Sequence, residues 1–260
     1  MEESVFPQSI LNYVSGKDFT VDSIGQSGAQ VCCYADMVLK IQRTGEEPNR
    51  EYEMMRWLRG KVPVPEILAF DRADGYNYLL MRRLPGEMAC AQRYLKAPVE
   101  LIRLLAQGLK MLWQVDTHGC MAGDTLERKL QRARERVESG RCDGSDAEPD
   151  TYGPNGFRDP AHLLNWLEQN RPEEEPVLSH GDYCLPNIFL SDGQVAGFID
   201  LGHCGIADRY QDIALCCRSL RHNLEEIAHC PFDEDLFFRE LGVARDAEKI
   251  RYYIMLDELF

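Results

Sequence analysis

Ser179–Gly202 reads SHGDYCLPNIFLSDGQVAGFIDLG, and the fold turns on how this stretch is read. Asp182 and Asn187 stand five positions apart, and the run Asn187 to Leu190 predicts a short strand. Asp192-Gly193 between two apolar runs predicts a two-residue hairpin. The returning strand, Val195 to Ile199, delivers Asp200 beside the loop that holds Asp182 and Asn187. Taken singly, each is an ordinary turn former. As an ordered set with a hairpin between, they bring three oxygen-bearing side chains to one end of a small sheet.

Mg²⁺ prefers hard oxygen ligands and usually takes one or two side chains plus substrate phosphates. Asn187 and Asp200 suit that need. The step from Asp182 to Asn187 is that of a kinase catalytic loop, where the aspartate accepts a hydroxyl proton and the asparagine holds metal. Asp200-Leu201-Gly202 reads as an Asp-Phe-Gly metal element with Leu for Phe.

The nucleotide side should lie upstream. Asp18 to Gly25, Ala29 to Tyr34 and Met37 to Gln42 predict three strands, with Gly25-Gln26-Ser27-Gly28 as a small-residue turn. That turn suits a phosphate-covering loop or a plain hairpin. Neither G-x-G-x-x-G nor G-x-x-x-x-G-K-[ST] occurs, which excludes Rossmann and P-loop readings. Lys40 on the third strand fits a lysine that grips α- and β-phosphates. A helix is predicted from about Pro48 to Leu58. Glu51, Met55 and Leu58 share one face of it. A carboxylate on an apolar stripe needs a partner, and Lys40 is the natural one, although Glu47 and Glu53 also lie near.

These residues resemble the aminoglycoside phosphotransferases, and among them the aminoglycoside 3′-phosphotransferases. The resemblance runs from about Ser15 to Phe260. It is carried by Val38-Leu39-Lys40, Arg50-Glu51, Met54 to Leu58, Val62-Pro63-Val64-Pro65, Leu79-Leu80-Met81, His180-Gly181-Asp182, Leu185 to Ile188, Gly197 to Gly202, Ala207 to Ala214 and Leu256-Asp257-Glu258-Leu259-Phe260.

The resemblance implies an α+β, bilobal, protein-kinase-like fold that uses ATP and Mg²⁺. Residues 1–83 would form the nucleotide-binding N-lobe, an antiparallel sheet plus a helix. Residues 84–260 would form a larger, mainly helical C-lobe with the catalytic hairpin and a helical insertion at about 120–172. Lys40, oriented by Glu51, would hold the phosphates, Ser27 would lie in the loop over them, and the backbone near Met81 to Leu84 would meet adenine. Asn187 and Asp200 would bind Mg²⁺, and Asp182 would act as base. Asp257, Glu258 and the Phe260 carboxylate would hold drug ammonium groups, with Arg218 at the same end of the cleft. Three departures bear on which drugs are accepted and how tightly nucleotide binds. His203 stands where relatives carry Arg, Val38 where one carries an aromatic, and His222 at an acidic position.

The chain has 260 residues, 44% hydrophobic and 28% charged, with a net charge of −14. That is ordinary globular composition. The charge argues against a nucleic-acid partner and suits a cationic small molecule, as it also suits solubility alone. Asp143, Asp146, Glu148 and Asp150 form an acidic run that is either a solvated loop or part of a polycation site. No apolar run reaches membrane-spanning length, and the N-terminus lacks the pattern of a secretory signal. A cytoplasmic protein, monomeric or a weak dimer, is expected. Ten cysteines without C-x-x-C spacing predict free thiols rather than zinc ligands or disulfides.

Asp74-Gly75 predicts a second hairpin, between Pro65–Phe70 and Tyr76–Met81, and Leu84-Pro85-Gly86 a linker. Helices are predicted at Pro98 to Asp116, Leu126 to Val137, Pro160 to Asn170, Asp208 to Asn223, Asp233 to Leu241 and Asp246 to Leu259. The second of these reads as a largely solvated, charged helix. Two other readings stay open: a kinase of another small hydroxylated molecule (a macrolide, choline or a sugar), and a catalytically dead nucleotide-binding scaffold. The short segment after Asp200 leaves little room for a protein-kinase activation loop.

Overall fold

The computed structural model describes residues 6–22, 29–142, 147–148, 151–154 and 156–260. Five antiparallel strands, β1 (Thr20–Asp22), β2 (Gln30–Cys33), β3 (Met37–Arg43), β4 (Ile67–Ala73) and β5 (Tyr76–Arg82), form a sheet in the order β1-β2-β3-β5-β4. Its aliphatic and aromatic positions bury Leu39, Ile41, Tyr78 and Leu80 against Ile10 and Val14 of helix α1 (Gln8–Val14). The opposite side of the lobe receives helix α2 (Glu46–Leu58), whose Met54, Met55 and Leu58 join the main core.

The chain then forms β6 (Glu87–Met88), α3 (Gln92–Leu95), α4 (Pro98–Trp113), α5 (Leu126–Glu138) and α6 (Pro160–Gln169). After β7 (Pro176–Ser179) comes the hairpin β8 (Ile188–Ser191) and β9 (Gln194–Phe198), then β10 (Gly205–Asp208) and α7 (Arg209–Arg221). A π-helical turn at His222–Ile227 leads into α8 (Glu234–Leu241) and α9 (Ala247–Asp257). The β8–β9 turn adopts φ 52° at Asp192 and 69° at Gly193, the primed geometry that matches strand twist. Ile188 pairs with Phe198, so Asn187 and Ile199 lie together at the open end of the hairpin. α4 packs beneath it, and its Leu105 carbonyl accepts a 2.8 Å hydrogen bond from Tyr183 Oη.

Several boundaries differ from expectation. α2 begins at Glu46, two residues before Pro48, because the proline sits in the first turn, where its missing N–H is not needed. The N-terminal region carries α1 as well as α2. The linker expected at Leu84-Pro85-Gly86 carries no regular structure, and the unexpected β6 that follows it pairs with β8, while β7 and β10 form a separate two-stranded ladder. α5 is less solvated than its charge suggests, since Lys129 is buried with Leu126, Leu130 and Ala133. The turn at residues 25–28, with Ser27, lies outside the described residues. Cys32, Cys204, Cys216 and Cys217 are buried free thiols. Among the described residues no helix is long and apolar enough to cross a membrane.

Candidate active site

Lys40 lies mid-strand on β3, opposite Val31 and Leu79, and its amine points into the junction of sheet and helical region. Lys40 Nζ is 2.9 Å from Glu51 Oε2 and 2.9 Å from Asp200 Oδ1. Glu51 is thus the carboxylate that faces the lysine, ahead of Glu47 and Glu53. Burial works against the charged amine, yet Glu51 and Asp200 outweigh it and raise the Lys40 pKa. Burial likewise opposes ionisation of Asp200, but Lys40 wins and holds its carboxyl below the usual range. Burial pushes the Glu51 carboxyl up. Asp200 sits in the left-handed region, φ 59° and ψ 57°, a conformation Asp tolerates better than most residues.

Asp182 and Asn187 meet directly. Asn187 Nδ2 donates to Asp182 Oδ2 at 2.8 Å and to the Asp182 carbonyl at 3.0 Å. These bonds use the asparagine's N–H groups and leave its oxygen for other partners. The loop is held from below by Asp212 on α7. That carboxylate accepts the backbone N–H of His180 at 2.6 Å and of Gly181 at 2.9 Å. Gln211 Nε2 donates to the Gly181 carbonyl at 2.9 Å. Gly181 has φ +88°, and a Cβ there would lie 2.2 Å from the His203 carbonyl oxygen.

Asn187 and Asp200 suit Mg²⁺ by donor chemistry: one amide oxygen and one carboxylate, on adjoining ends of β8 and β9. Among the described residues no group of three or more His, Cys, Asp or Glu is arranged to hold a metal alone. Two side chains supplemented by phosphate oxygens is the usual magnesium arrangement.

Arg218, Asp257 and Glu258 also converge. Arg218 Nη2 donates to Asp257 Oδ2, and Glu258 Oε1 accepts the Glu148 N–H at 3.1 Å. Burial opposes the Arg218 charge, but Asp257, Glu258 and Glu148 outweigh it and raise its pKa. Asp143, Asp146 and Asp150 of the acidic run lie outside the described residues. Phe260 departs from the simple expectation of a free acceptor. Its main-chain oxygen accepts from Arg136 Nη2, and Lys129, Arg132 and Arg136 surround its ring. Met81 lies on the interior strand β5, opposite Val38 and Ile67, with the chain leaving the sheet after Arg82.

Residues 18–252 match the family model described as "Phosphotransferase enzyme family". An aminoglycoside 3′-phosphotransferase of Enterococcus faecalis is 40% identical over 224 residues, which cover 85% of this chain and 82% of the relative. The crystal structure of an aminoglycoside-3′-phosphotransferase of type VIII superposes with a TM-score of 0.81 at 29% identity, covering 94% of both chains. An aminoglycoside phosphotransferase from Streptomyces rimosus, solved in complex with ADP and streptomycin, gives a TM-score of 0.79 at 25% identity, covering 96% of this chain and 95% of that one.

The chain belongs to the phosphotransferase enzyme family, among the aminoglycoside 3′-phosphotransferases. In this phosphotransferase the sequence reading assigned no role to Asp212, although it anchors the loop that carries Asp182. One signal was available: an acid flanked by Tyr210, Ile213 and Ala214 on an otherwise buried helix face. The basic residues of α5 that surround Phe260 were also missed, because their i, i+3, i+7 spacing reads equally well as a solvated stripe.

Proposed function

We propose that this chain transfers the γ-phosphoryl group of ATP to an aminoglycoside hydroxyl, the 3′-hydroxyl first of all, and so confers resistance to the drug. The observation that carries the reading is the joining of two half-sites. Lys40, held by Glu51, reaches Asp200, and the adjoining loop pairs Asp182 with Asn187.

Residues 1–83 act as the nucleotide lobe and 84–260 as the catalytic and drug-binding lobe. Lys40 binds the α- and β-phosphates, and the backbone near Met81 meets adenine. Asp182 orients the attacking hydroxyl and takes its proton as the new O–P bond forms and the bond from phosphorus to the β–γ bridging oxygen breaks. Asn187 and Asp200 would hold Mg²⁺, which neutralises charge on the transferring group. Asp257, Glu258 and Glu148 attract drug ammonium groups. Because the transferring phosphoryl spreads its charge over its oxygens, most of the acceleration comes from positioning and fixed charge.

The test is ADP release by purified protein with Mg-ATP and kanamycin, beside Asp182→Asn and beside lividomycin, which lacks the 3′-hydroxyl. Drug-dependent release that the variant loses, with lividomycin inert, is the expected result. Turnover of lividomycin moves the target to another hydroxyl. Folded protein that binds ATP yet releases no ADP with any aminoglycoside overturns the reading.

A further inference from the structure

Asp124, just before α5, is 2% exposed and faces three cations. Arg132 Nη2 donates to its Oδ1, Lys129 Nζ is 3.9 Å from its Oδ2, and Arg50 Nη1 is 3.9 Å from its Oδ1. Arg50 belongs to α2, one residue before Glu51, so this contact crosses from the nucleotide-side helix to the helical region. The remaining partners of Asp124 lie on two other parts of the site. Its backbone N–H donates to the Ile206 carbonyl on β10 at 2.9 Å, and β10 follows directly from the Asp200-Leu201-Gly202 loop. Lys129 and Arg132 in turn stand 5.7 and 5.5 Å from the centre of the Phe260 ring.

The contact is also unfinished. Arg50 Nη1 is buried without a hydrogen-bond partner, and a buried polar group left unpaired is costly; the other unpaired atom, Asp124 Oδ2, faces Lys129 rather than Arg50. An N–H···O bond closes at about 2.9 Å, so an approach of α2 toward α5 of about 1 Å would convert the 3.9 Å Arg50–Asp124 ion pair into one. Arg50 is only partly committed elsewhere, through Nη2 to the exposed Glu46 at 2.8 Å. A ligand that draws α2 toward Asp124 would therefore be rewarded at this contact.

We propose that Arg50 and Asp124 are positioning residues that couple the nucleotide side to the drug side. Asp124 joins α2, the Asp200 loop and the α5–Phe260 contact, so ordering of one end favours binding at the other. Coupling of this kind needs a shared element with differential contacts, and it is reciprocal between the two ligands. The inference rests on the aminoglycoside reading for the identity of the second ligand.

The experiment is calorimetric titration of wild-type protein with Mg-ADP, alone and with saturating kanamycin, then with Arg50→Gln, Arg50→Lys and Asp124→Asn. In wild type, kanamycin tightens ADP binding by about 5-fold or more. Arg50→Gln removes the tightening while leaving ADP affinity in the absence of drug within about 3-fold, and Arg50→Lys restores part of it. A merely structural role would weaken binding without abolishing the ratio. Should Arg50→Gln fail to fold, Asp124→Asn, which keeps the shape of the side chain, is read in the same way. A folded variant that retains the wild-type ratio overturns the proposal, as does a wild type that binds both ligands independently. A wild type that binds ADP and no kanamycin, by direct drug titration, defeats the drug reading itself, and the coupling with it.

Discussion

Lys40 Nζ lies 2.9 Å from Asp200 Oδ1 across 160 positions of sequence, and the same amine is 2.9 Å from Glu51. One cation thus ties the sheet to α2 and to the loop after the β8–β9 hairpin. Removing it leaves two carboxylates facing each other in a mostly buried site, which neither can tolerate alone. Lys40→Ala should lower kcat/KM for ATP by on the order of 10²-fold, with the KM for drug changed far less. Steady-state kinetics with each substrate varied in turn checks this. An unaltered ATP dependence would remove Lys40 from the phosphate site.

The same pair sets an acid limit on stability. The Asp200 pKa is depressed in the fold, chiefly because Lys40 outweighs the effect of burial. Its contribution is complete above the unfolded value of about 3.9 and is lost as pH falls through the lower folded value. The Lys40 pKa is raised, so its contribution is complete at neutral pH and fades only at strongly alkaline pH. Thermal midpoints recorded from pH 7 down to pH 3 should therefore fall less steeply below about pH 4 in Asp200→Asn than in wild type. Parallel curves would mean that Asp200 carries no acid-linked stability.

Lys40 and Asp200 were legible because both stand in patterns with short-range causes. Lys40 lies in an apolar run of strand period, and Asp200 follows a strand returned by Asp192-Gly193. β6, β7 and β10 were not legible. They span two to four residues, and their pairing, such as Gly205 with Ser179, is settled by tertiary contact. Lys129 was hidden for a related reason. A charged residue on a charged helix reads as solvated until Asp124 and the Phe260 ring are known to cover it. The Lys40–Glu51 pairing was legible only as one choice among three acids, since spacing ranks them but cannot measure a distance.

Asp212 illustrates what the tertiary structure adds. Its two oxygens accept the N–H groups of His180 and Gly181, which sets the backbone immediately before Asp182. Asp212→Asn turns one acceptor into a donor facing an N–H, a loss of about 1–3 kcal/mol. We expect a fall in stability of that size and a drop in kcat of about 10-fold or more, with ADP affinity near wild type. Chemical denaturation, turnover and ADP titration on the same preparation separate the effects. Wild-type kcat in a destabilised variant would show that the catalytic loop does not depend on this anchor.

In the proposed drug site, Arg218 and Asp257 set how much negative charge is presented. Arg218 donates to Asp257, and both are about one-third exposed, at 32% and 27% of their side chains, so solvent screens the pair. Asp257→Ala removes one carboxylate and leaves Arg218 beside Glu258 and Glu148, whose fields it then partly cancels. The KM for kanamycin should rise by about 5- to 30-fold, equivalent to about 1–2 kcal/mol, while the KM for ATP stays within about 2-fold. Arg218→Gln tests the opposite sign: it frees Asp257 and leaves Glu258 and Glu148 uncancelled, so drug affinity should hold or improve unless the arginine is needed to keep Asp257 in place. Direct drug titration of both variants distinguishes these outcomes. Loss of drug binding in Arg218→Gln as severe as in Asp257→Ala would assign the arginine to positioning the carboxylate, whereas tighter binding would show it to be an internal counter-charge that the drug must outcompete.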